Sequence, residues 1–254
     1  MTTPVAAAKQ QLRTLIKKRL ASLSHDAVQA QSKPTLSFFT RAVVLKQPGR
    51  AVFEALQASQ QYKDAKRISI YLAMPAAEIQ TDAIVRHALT AGKQVFVPYL
   101  HKSTLSEPDA PARIMDMVHL RSIQDYESLS RDKWGIPSIN ADAVAGRERI
   151  LGDSPGNFGP SPATLDLMLV PGVAFNADPE TGIRRLGHGK GFYDFFLNRY
   201  FARAAEHGGH GSSLQLTGLA LAEQWLSAED GQVPMGIYDR RLHSLILGSG
   251  ETKQ

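Results

Sequence analysis

The chain has 254 residues, of which 43% are hydrophobic and 21% are charged, and its formal net charge is +5. This is the composition of an ordinary globular protein, and it excludes a collagen, a coiled coil and a wholly disordered chain. No cysteine is present, which excludes a disulfide scaffold, a thiolate nucleophile and a cysteine-ligated metal centre.

The positive charge is concentrated at the start of the chain. Residues 1–67 hold twelve Lys and Arg against three Asp and Glu, a net charge of +9, and the remaining residues carry −4. Such a segment is typical of helices with solvated basic faces, or of a protein with an anionic partner such as nucleic acid or a phosphate-bearing molecule. Aromatic residues are sparse there and show no interleaved stacking pattern, so we expect no nucleic-acid partner.

The first predicted elements are helices. Apolar residues recur at helical spacing and predict an amphipathic helix over residues 8–23. Pro34 opens a second predicted helix that continues to about residue 45, and a third is expected over residues 51–59. Residues 1–60 are therefore predicted to form a helical, basic segment.

Strands then alternate with helices. The predicted strands are short apolar or β-branched runs, namely 68–72, 94–97 (ended by Pro98), 115–120, 165–170, 214–222 and 243–247. The predicted helices among them cover residues 81–92 and 194–206. Segments rich in Pro, Gly, Ser or charge are predicted loop insertions, namely 101–113, 140–163 and 206–213. This alternation predicts an α/β fold, a single three-layer domain over residues 1–254 with a mostly parallel central sheet and helices on both faces.

The most informative segment is a glycine-rich stretch before the last predicted helix. Gly187, Gly189 and Gly191 alternate with other residues, which lets the backbone approach an anion closely and point its N–H groups at it. The N-terminus of the following helix adds partial positive charge. Arg185 and Lys190 supply full charges, so the segment predicts a polyphosphate cradle. The glycines alone leave a simple tight turn as the alternative.

Two familiar glycine-rich signatures do not fit this stretch. In a Walker A loop the second glycine is followed by Lys, whereas Gly187 is followed by His188. The dinucleotide fingerprint G-x-G-x-x-G follows its strand directly, whereas the pattern here is G-x-G-x-G and begins well after the strand that ends at Val170.

In its surroundings, the segment resembles the core motif of the 5-formyltetrahydrofolate cyclo-ligase family, P-G-x-x-F followed by R-L-G-x-G-x-G-[YF]-Y-D. The matching residues are Pro171, Gly172, Phe175, Arg185, Leu186, Gly187, Gly189, Gly191, Phe192, Tyr193 and Asp194. Other stretches similar to the family contain Lys9 and Arg13, residues 66–72, Glu78 to Thr81, residues 115–117, residues 134–137, Glu223 and Gln224, and residues 233–239. The resemblance therefore covers residues 9 to about 247.

The resemblance implies an enzyme that uses ATP and Mg²⁺ to convert 5-formyltetrahydrofolate into 5,10-methenyltetrahydrofolate, releasing ADP and phosphate. It implies that ATP is held by Lys9, Arg13, Arg185, Gly187, Gly189, Lys190, Gly191 and Asp194. It implies that the folate contacts Leu72, Glu78, His188, Gly189, Lys190, Gly191 and Phe192. The implied catalytic residues are Lys190, Arg185 and Tyr193, and the implied Mg²⁺ ligands are Asp194 and Asp239.

The chain departs from the family pattern at three places. His188 stands where members often carry Arg, Tyr or another polar residue, and His243 stands where they usually carry Asp. One extra residue precedes Glu78, which leaves its register relative to Leu72 open. A non-catalytic folate-binding relative is an alternative function, but the intact phosphate and magnesium residues favour the enzyme.

The location of the protein follows from the same residues. The basic N-terminus, whose first acidic residue is Asp26, is similar to a mitochondrial transit peptide. A peptide cleaved near residue 20 would remove Lys9 and Arg13, which the resemblance places at ATP, so we expect a cytoplasmic protein, with the mitochondrion as the alternative. No run of about 18 apolar residues occurs, so we expect no membrane partner, and we expect a monomer.

Overall fold

The computed structural model of the protein describes residues 3–23, 48–75, 77–105, 110–152, 164–178, 180, 182–206 and 213–254. Its α-helices are α1 (Pro4–Ala21), α2 (Pro48–Ala58), α3 (Gln60–Asp64), α4 (Asp82–Thr90), α5 (Ile123–Glu127), α6 (Ala141–Val144) and α7 (Phe192–Glu206). Its strands are β1 (Arg67–Ser69), β2 (Gln94–Lys102), β3 (Arg113–Leu120), β4 (Ser130–Arg131), β5 (Pro137–Ser138), β6 (Leu167–Val170), β7 (Ala174–Ala177), β8 (Ile183–Leu186), β9 (Gln215–Ala220), β10 (Ser244–Leu247) and β11 (Thr252–Lys253).

Seven strands form the central sheet in the order β11-β10-β9-β6-β1-β2-β3. The five strands from β10 to β2 pair in parallel, and an antiparallel strand closes each edge. All four residues of β6, which lies between β9 and β1, are buried, as expected for a continuous apolar run in the middle of a parallel sheet. The predicted α/β class with a mostly parallel sheet is confirmed.

Both faces of this sheet are covered by helices. Successive side chains of a strand point to opposite faces, so Leu167 and Leu169 pack on one side of β6, and Met168 and Val170 pack on the other. Helices α2 and α4 contribute to the core on the first side, and α7 contributes to the core on the second. The result is the predicted arrangement of three layers.

Helix α1 packs over a third, smaller core. It begins with Thr3 as N-cap, whose hydroxyl accepts a hydrogen bond from the backbone N–H of Ala6 at 3.3 Å, and with Pro4 in the first helical turn, where a proline costs nothing. Ile16 is fully buried in this core, and Leu20 packs against it. Complete burial of an isoleucine side chain is worth about 1.5–3 kcal/mol, so Ile16 anchors the helix on the body of the protein.

The prediction that the second strand ends at Pro98 is wrong. Strand β2 continues to Lys102 as one arm of a hairpin with β3, and residues 101, 102 and 113 of the predicted loop 101–113 are therefore strand residues. Pairing with β1 stops at Phe96, so Pro98 lies where β2 has a single paired neighbour. A proline, which lacks an N–H, is tolerated at such an edge position.

Other differences concern short elements. The β7–β8 hairpin follows Gly172, where no strand was predicted, and the predicted loop 140–163 contains helix α6. The predicted helix 34–45 and residues 153–163 and 207–212 of the predicted loops lie outside the described residues. Within the described ranges, no helix is long and apolar enough to cross a membrane.

Candidate active site

The glycine-rich segment forms a short loop that joins β8 to the N-terminus of α7. Gly189 has φ = 104° and Gly191 has φ = 67°, values that residues with a side chain rarely adopt. A Cβ atom on Gly187 would lie 3.1 Å from the Nη1 atom of Arg185. Backbone conformation therefore favours glycine at positions 189 and 191, and a side chain at position 187 would press on the guanidinium group of Arg185.

The two arginines before the loop have different roles because they alternate along β8. Arg184 donates to the buried carboxylate of Asp178 at 2.6 Å, and Arg185 donates from Nη2 to Asp194 Oδ2 at 2.8 Å. The guanidinium carbon of Arg185 also lies 5.7 Å from the ring centroid of Tyr193. The strand thus aims Arg185, the predicted phosphate ligand, at the first turn of α7.

The two carboxylates predicted to bind metal, Asp194 and Asp239, are connected through Arg240, which follows Asp239 in the chain. The backbone N–H of Arg240 donates to Asp194 Oδ1 at 3.1 Å, which brings the segment of Asp239 against the first turn of α7. Asp239 accepts hydrogen bonds on Oδ2 from the backbone N–H of Gly236 and from the ammonium group of Lys9. The structure therefore joins Asp194, Asp239 and Lys9 in one cluster.

Helix α1 brings two cations to this cluster. Residues 9, 13, 16 and 20 lie on one face of the helix because they are three or four positions apart, and the buried Ile16 turns this face toward the protein. Arg13 donates from Nε to the backbone oxygen of Gly187 at 2.9 Å. Burial lowers the pKa of Arg13 below its ordinary value, and Asp239 opposes that change. The two basic residues of α1 therefore lie against Asp239 and the glycine-rich loop, where the other predicted site residues are.

The loop after β1 contributes the predicted folate residue Glu78. Its Oε2 atom accepts the backbone N–H of Met74 at 2.8 Å, and its Oε1 atom lies 3.3 Å from Nε2 of His188. Glu78 is buried, with 6% of its surface exposed, whereas His188 is largely exposed. His188 therefore connects the glycine-rich loop to the loop after β1. This contact joins the predicted phosphate cradle to the predicted folate region around Glu78.

Tyr193 lies between these regions. Burial raises its pKa above the ordinary value, and the nearby negative charge of Glu78 raises it further, while Arg185 opposes the change. Burial raises the pKa of the neighbouring Tyr71 as well, and its hydroxyl donates to the backbone oxygen of Ile79. A phenol with a raised pKa stays protonated at neutral pH, so Tyr193 is equipped to donate a hydrogen bond and not to act as a base.

Three predicted residues stand apart from these contacts. Lys190 is exposed at the end of the loop, and no ion pair holds it among the residues the structure describes. Phe192 packs partly against the core beneath α7, and Leu72 is buried in the core that also contains Ile79. The structure brings the other predicted site residues together, with Lys190 free to meet a ligand and Phe192 and Leu72 supporting the walls.

Comparison with known proteins agrees with this geometry. The profile of the 5-formyltetrahydrofolate cyclo-ligase family matches residues 5–248. The chain belongs to this family. It is 32% identical to a probable 5-formyltetrahydrofolate cyclo-ligase of Caenorhabditis elegans, over 96% of this chain and 94% of that protein. It is 33% identical to the 5-formyltetrahydrofolate cyclo-ligase of Mus musculus, over 77% and 76% of the two chains.

A solved structure shares the fold. The 5,10-methenyltetrahydrofolate synthetase of Aquifex aeolicus, determined by NMR, superposes with a TM-score of 0.59 and 18% identity, covering 97% of this chain and 92% of that one. The predicted family, fold and status as an enzyme are thereby confirmed. The family match begins at residue 5, so all of α1 except Pro4 lies within it, including Lys9 and Arg13.

The site of this cyclo-ligase family member offers a limited set of metal ligands. In the described part of the chain, no group of three or more His, Asp or Glu side chains is placed to hold a metal ion. Asp194 and Asp239 nevertheless supply carboxylate oxygens next to the predicted phosphate cradle. Mg²⁺ is commonly bound by one or two carboxylates together with water and substrate phosphates, so the chemistry of these two residues fits the predicted ion.

Two contacts in the site carry no signal that a single sequence could reveal. The Arg240 contact to Asp194 uses the backbone N–H, which every residue except proline has. Gln224 is buried in the 3₁₀-helix Ala222–Gln224 and donates to the backbone oxygen of Gly172 at 2.8 Å. Gln224 matches the family pattern, but nothing in the sequence indicates which group its side chain bonds to.

Proposed function

We propose that this protein converts 5-formyltetrahydrofolate into 5,10-methenyltetrahydrofolate in a reaction that consumes MgATP. The observation that carries the proposal is the convergence of α1, the glycine-rich loop and the first turn of α7, through the Lys9–Asp239, Arg13–Gly187 and Arg185–Asp194 contacts. This convergence gathers cations and backbone N–H groups at one helix N-terminus, which is the environment that a polyphosphate requires.

The chemistry explains why a phosphoryl donor is needed. The oxygen of a formamide is a poor leaving group, so N10 of the folate cannot displace it directly. Transfer of the γ-phosphoryl group to the formyl oxygen releases ADP and leaves a phosphorylated iminium carbon. Attack by N10 on that carbon forms the new C–N bond, and N10 gives up its proton. The C–O bond then breaks with release of inorganic phosphate, which leaves the positively charged methenyl bridge between N5 and N10.

On the nucleotide side, the protein provides position and positive charge. Catalysis of phosphoryl transfer depends chiefly on both. Arg185 is buried and fixed by Asp194, whereas Lys190 is exposed and able to follow the transferred group. Lys9 and Arg13 add charge from α1. We assign ATP binding to these four cations and to the backbone of Gly187, Gly189 and Gly191, with Asp194 holding Arg185 in place.

On the folate side, Glu78 is the principal polar residue. Met74 fixes one of its oxygens through a backbone N–H, and the second oxygen faces the exposed ring of His188. We propose that the folate ring donates hydrogen bonds to that second oxygen, with His188 moving aside. Tyr193 is protonated at neutral pH and lies near Glu78 and Arg185. Its proposed role is to donate a hydrogen bond to the substrate oxygen on which negative charge develops during the reaction. Leu72 and Phe192 line the apolar wall.

Magnesium belongs to the nucleotide in this proposal. When bound, Mg²⁺ neutralises charge on the β- and γ-phosphates. Asp239 and Asp194 would provide its protein ligands. Asp239 pairs with Lys9, so the Lys9 ammonium group lies beside a carboxylate that would hold the ion and next to the proposed site of the phosphates.

We further propose that the protein works as a single-domain monomer in the cytoplasm. Helix α1 supports this location because it carries both Lys9 and Arg13 and is anchored by Ile16. Processing near residue 20 would remove all three residues, and with them part of the nucleotide site.

The test is a spectrophotometric assay of methenyltetrahydrofolate formation from 5-formyltetrahydrofolate and MgATP. We expect turnover by the wild-type protein and a loss of about tenfold to a hundredfold in Lys190→Ala, since a hydrogen bond to a charged group is worth about 1.5–3 kcal/mol. Lys63→Ala is the matched control, because Lys63 is exposed on α3, just before the amino end of β1. No turnover by well-folded wild-type protein, or equal activity in both variants, would contradict the proposal.

A further inference from the structure

Gln224 lies at the point where three loops meet at the carboxyl edge of the sheet. It follows β9 in the 3₁₀-helix, and only 1% of its surface is exposed. Its Oε1 atom accepts the backbone N–H of Leu221 at 2.9 Å. Its Nε2 group donates to the backbone oxygen of Gly172 at 2.8 Å and, more weakly, to that of Ala77 at 3.4 Å. All three polar functions of one amide are therefore in use.

The two carbonyl groups belong to opposite halves of the site. Gly172 follows β6 and adjoins Pro171, whose oxygen accepts from Arg185 at 3.4 Å, so it belongs to the nucleotide half. Ala77 follows β1 and precedes Glu78, so it belongs to the folate half. Ala77 has φ = 67° although it is not a glycine, and such a conformation persists only where surrounding contacts hold it.

Each half is also held by contacts of its own. On the nucleotide side, Arg185 is fixed by Asp194. On the folate side, Met74 is bonded to Glu78, and the Gln80 side chain donates to the backbone oxygens of Met74 and Glu78 at 2.7 and 3.1 Å. The Gln224 amide is a buried link between the halves, whereas the His188–Glu78 link is largely exposed.

We propose that Gln224 is a positioning residue that sets the distance between the nucleotide and folate halves of the site. This inference rests on the function proposed above. The phosphoryl group must travel from one half to the other, and a misplacement of about 1 Å can cost about a hundredfold in rate. Loss of the link should therefore reduce kcat and leave the binding of each substrate nearly unchanged, since each half keeps its own contacts.

The chemistry of the amide gives a sharp test. In Gln224→Glu the acceptor for Leu221 is retained, but the donor becomes a carboxylate oxygen that faces two carbonyl oxygens. Burial raises the pKa of a carboxyl group, and once protonated it can donate an O–H to Gly172. Gln224→Met has a similar shape but no donor at any pH. Gln215→Glu is the matched control, since Gln215 lies at the opposite end of the same strand and its side-chain amide donates to the backbone oxygen of Ser213, far from both halves of the site.

The measurements are kcat, the KM of each substrate and the melting temperature of the full chain between pH 6 and pH 8.5, each expressed relative to wild type. All variants keep the charged groups of the elements around position 224, namely Arg185, Glu78, Glu223 and Arg19, whose guanidinium donates to the backbone oxygen of Glu223, so the ratio to wild type isolates the change at position 224. At pH 8 we expect Gln224→Glu to lose at least about tenfold in kcat, with both KM values within about threefold of wild type. Its relative kcat should recover as the pH falls, while that of Gln224→Met should not.

Three results would overturn the inference. A normal kcat per folded molecule, with only a lower melting temperature, would show that Gln224 is merely structural. An increase of both KM values in parallel with the loss of kcat would show a general collapse of the site. Identical pH profiles for Gln224→Glu and Gln224→Met would remove the donor from the explanation. Absence of wild-type turnover would refute the proposed function itself, so the two failures are distinguishable.

Discussion

A side chain at position 189 should have two effects, backbone strain and displacement of Arg13. A pair of glycine substitutions can separate them. Gly189 has φ = 104°, and a Cβ atom there would lie 3.3 Å from Cζ of Arg13. Gly191 has φ = 67°, and a Cβ atom there would have no neighbour within 4 Å among the described residues. Gly189→Ala therefore combines backbone strain with displacement of Arg13, whereas Gly191→Ala introduces backbone strain alone.

The magnitudes follow from these contacts. Holding a residue in an unfavourable backbone conformation costs about 1–3 kcal/mol, and each kcal/mol lowers the melting temperature of a protein of this size by about 2–4 °C. Both variants should show that loss. Displacement of Arg13 strains its hydrogen bond to Gly187 and moves its charge, an effect of about 1.5–3 kcal/mol. We expect this to raise the KM for ATP in Gly189→Ala by about tenfold to a hundredfold more than in Gly191→Ala, which changes the same proposed cradle without displacing Arg13.

The assay is methenyltetrahydrofolate formation at varied ATP, together with thermal denaturation of each variant. A double-mutant cycle with Arg13→Ala isolates the contact, because mutations that act through one interaction are not additive. Once Arg13 is alanine, Gly189→Ala should change the KM for ATP little further. Equal KM values for the two glycine variants, or full additivity with Arg13→Ala, would refute the assignment of Arg13 to the nucleotide.

Three further predictions concern charge and protonation. Lys9→Ala should raise the KM for ATP by about tenfold, while Lys17→Ala, exposed on the same helix, should not; equal effects would remove Lys9 from the site. Removal of divalent cations with EDTA should stop turnover. It should leave the melting temperature of the nucleotide-free protein unchanged, because Asp239 is already paired with Lys9. Turnover that survives chelation would argue against Asp239 as a metal ligand. Burial lowers the pKa of His243 below its ordinary value of 6.5, so the unfolded chain takes up a proton first and stability should fall as the pH drops below about 6.5. His243→Asn keeps an acceptor for the N–H of Leu216, which donates to His243 Nδ1 at 2.9 Å, so its melting temperature should decline less between pH 7.5 and pH 5.5; an equal decline would contradict the reasoning.

The sequence predicts the sheet well because its strands have a simple pattern. Strand β6 is a continuous apolar run, and α7 begins within two residues of its predicted start. Pro98 misled the prediction because a proline stops a strand only where its N–H is needed, and the partners of β2 depend on the whole sheet. The β7–β8 hairpin was missed because its turn is long and its strands mix Arg and Asn with apolar residues.

The site shows the same division. The ordered family motif points to Arg185, Asp194 and the three glycines, and the structure brings them together. The pairing of Lys9 with Asp239 joins residues 230 positions apart, and no local pattern in a single sequence encodes such a distance. His243 departs from the family pattern, and a local contact accounts for this residue. Its ring nitrogen accepts a hydrogen bond from the backbone N–H of Leu216 in the neighbouring strand.

The carboxylates of the site explain how three basic side chains can lie close together in the folded protein. Lys9, Arg13 and Arg185 converge on one loop, and unpaired positive charges at close range would repel one another and favour an open structure. Asp239 pairs with Lys9, and Asp194 pairs with Arg185, so these two cations are held in place by acids of the protein itself. A rigid, already oriented set of donors loses little entropy on binding. The net charge of +9 in residues 1–67 therefore needs no nucleic acid to account for it, because part of it is held by acids of the C-terminal half at the position where a polyphosphate would bind.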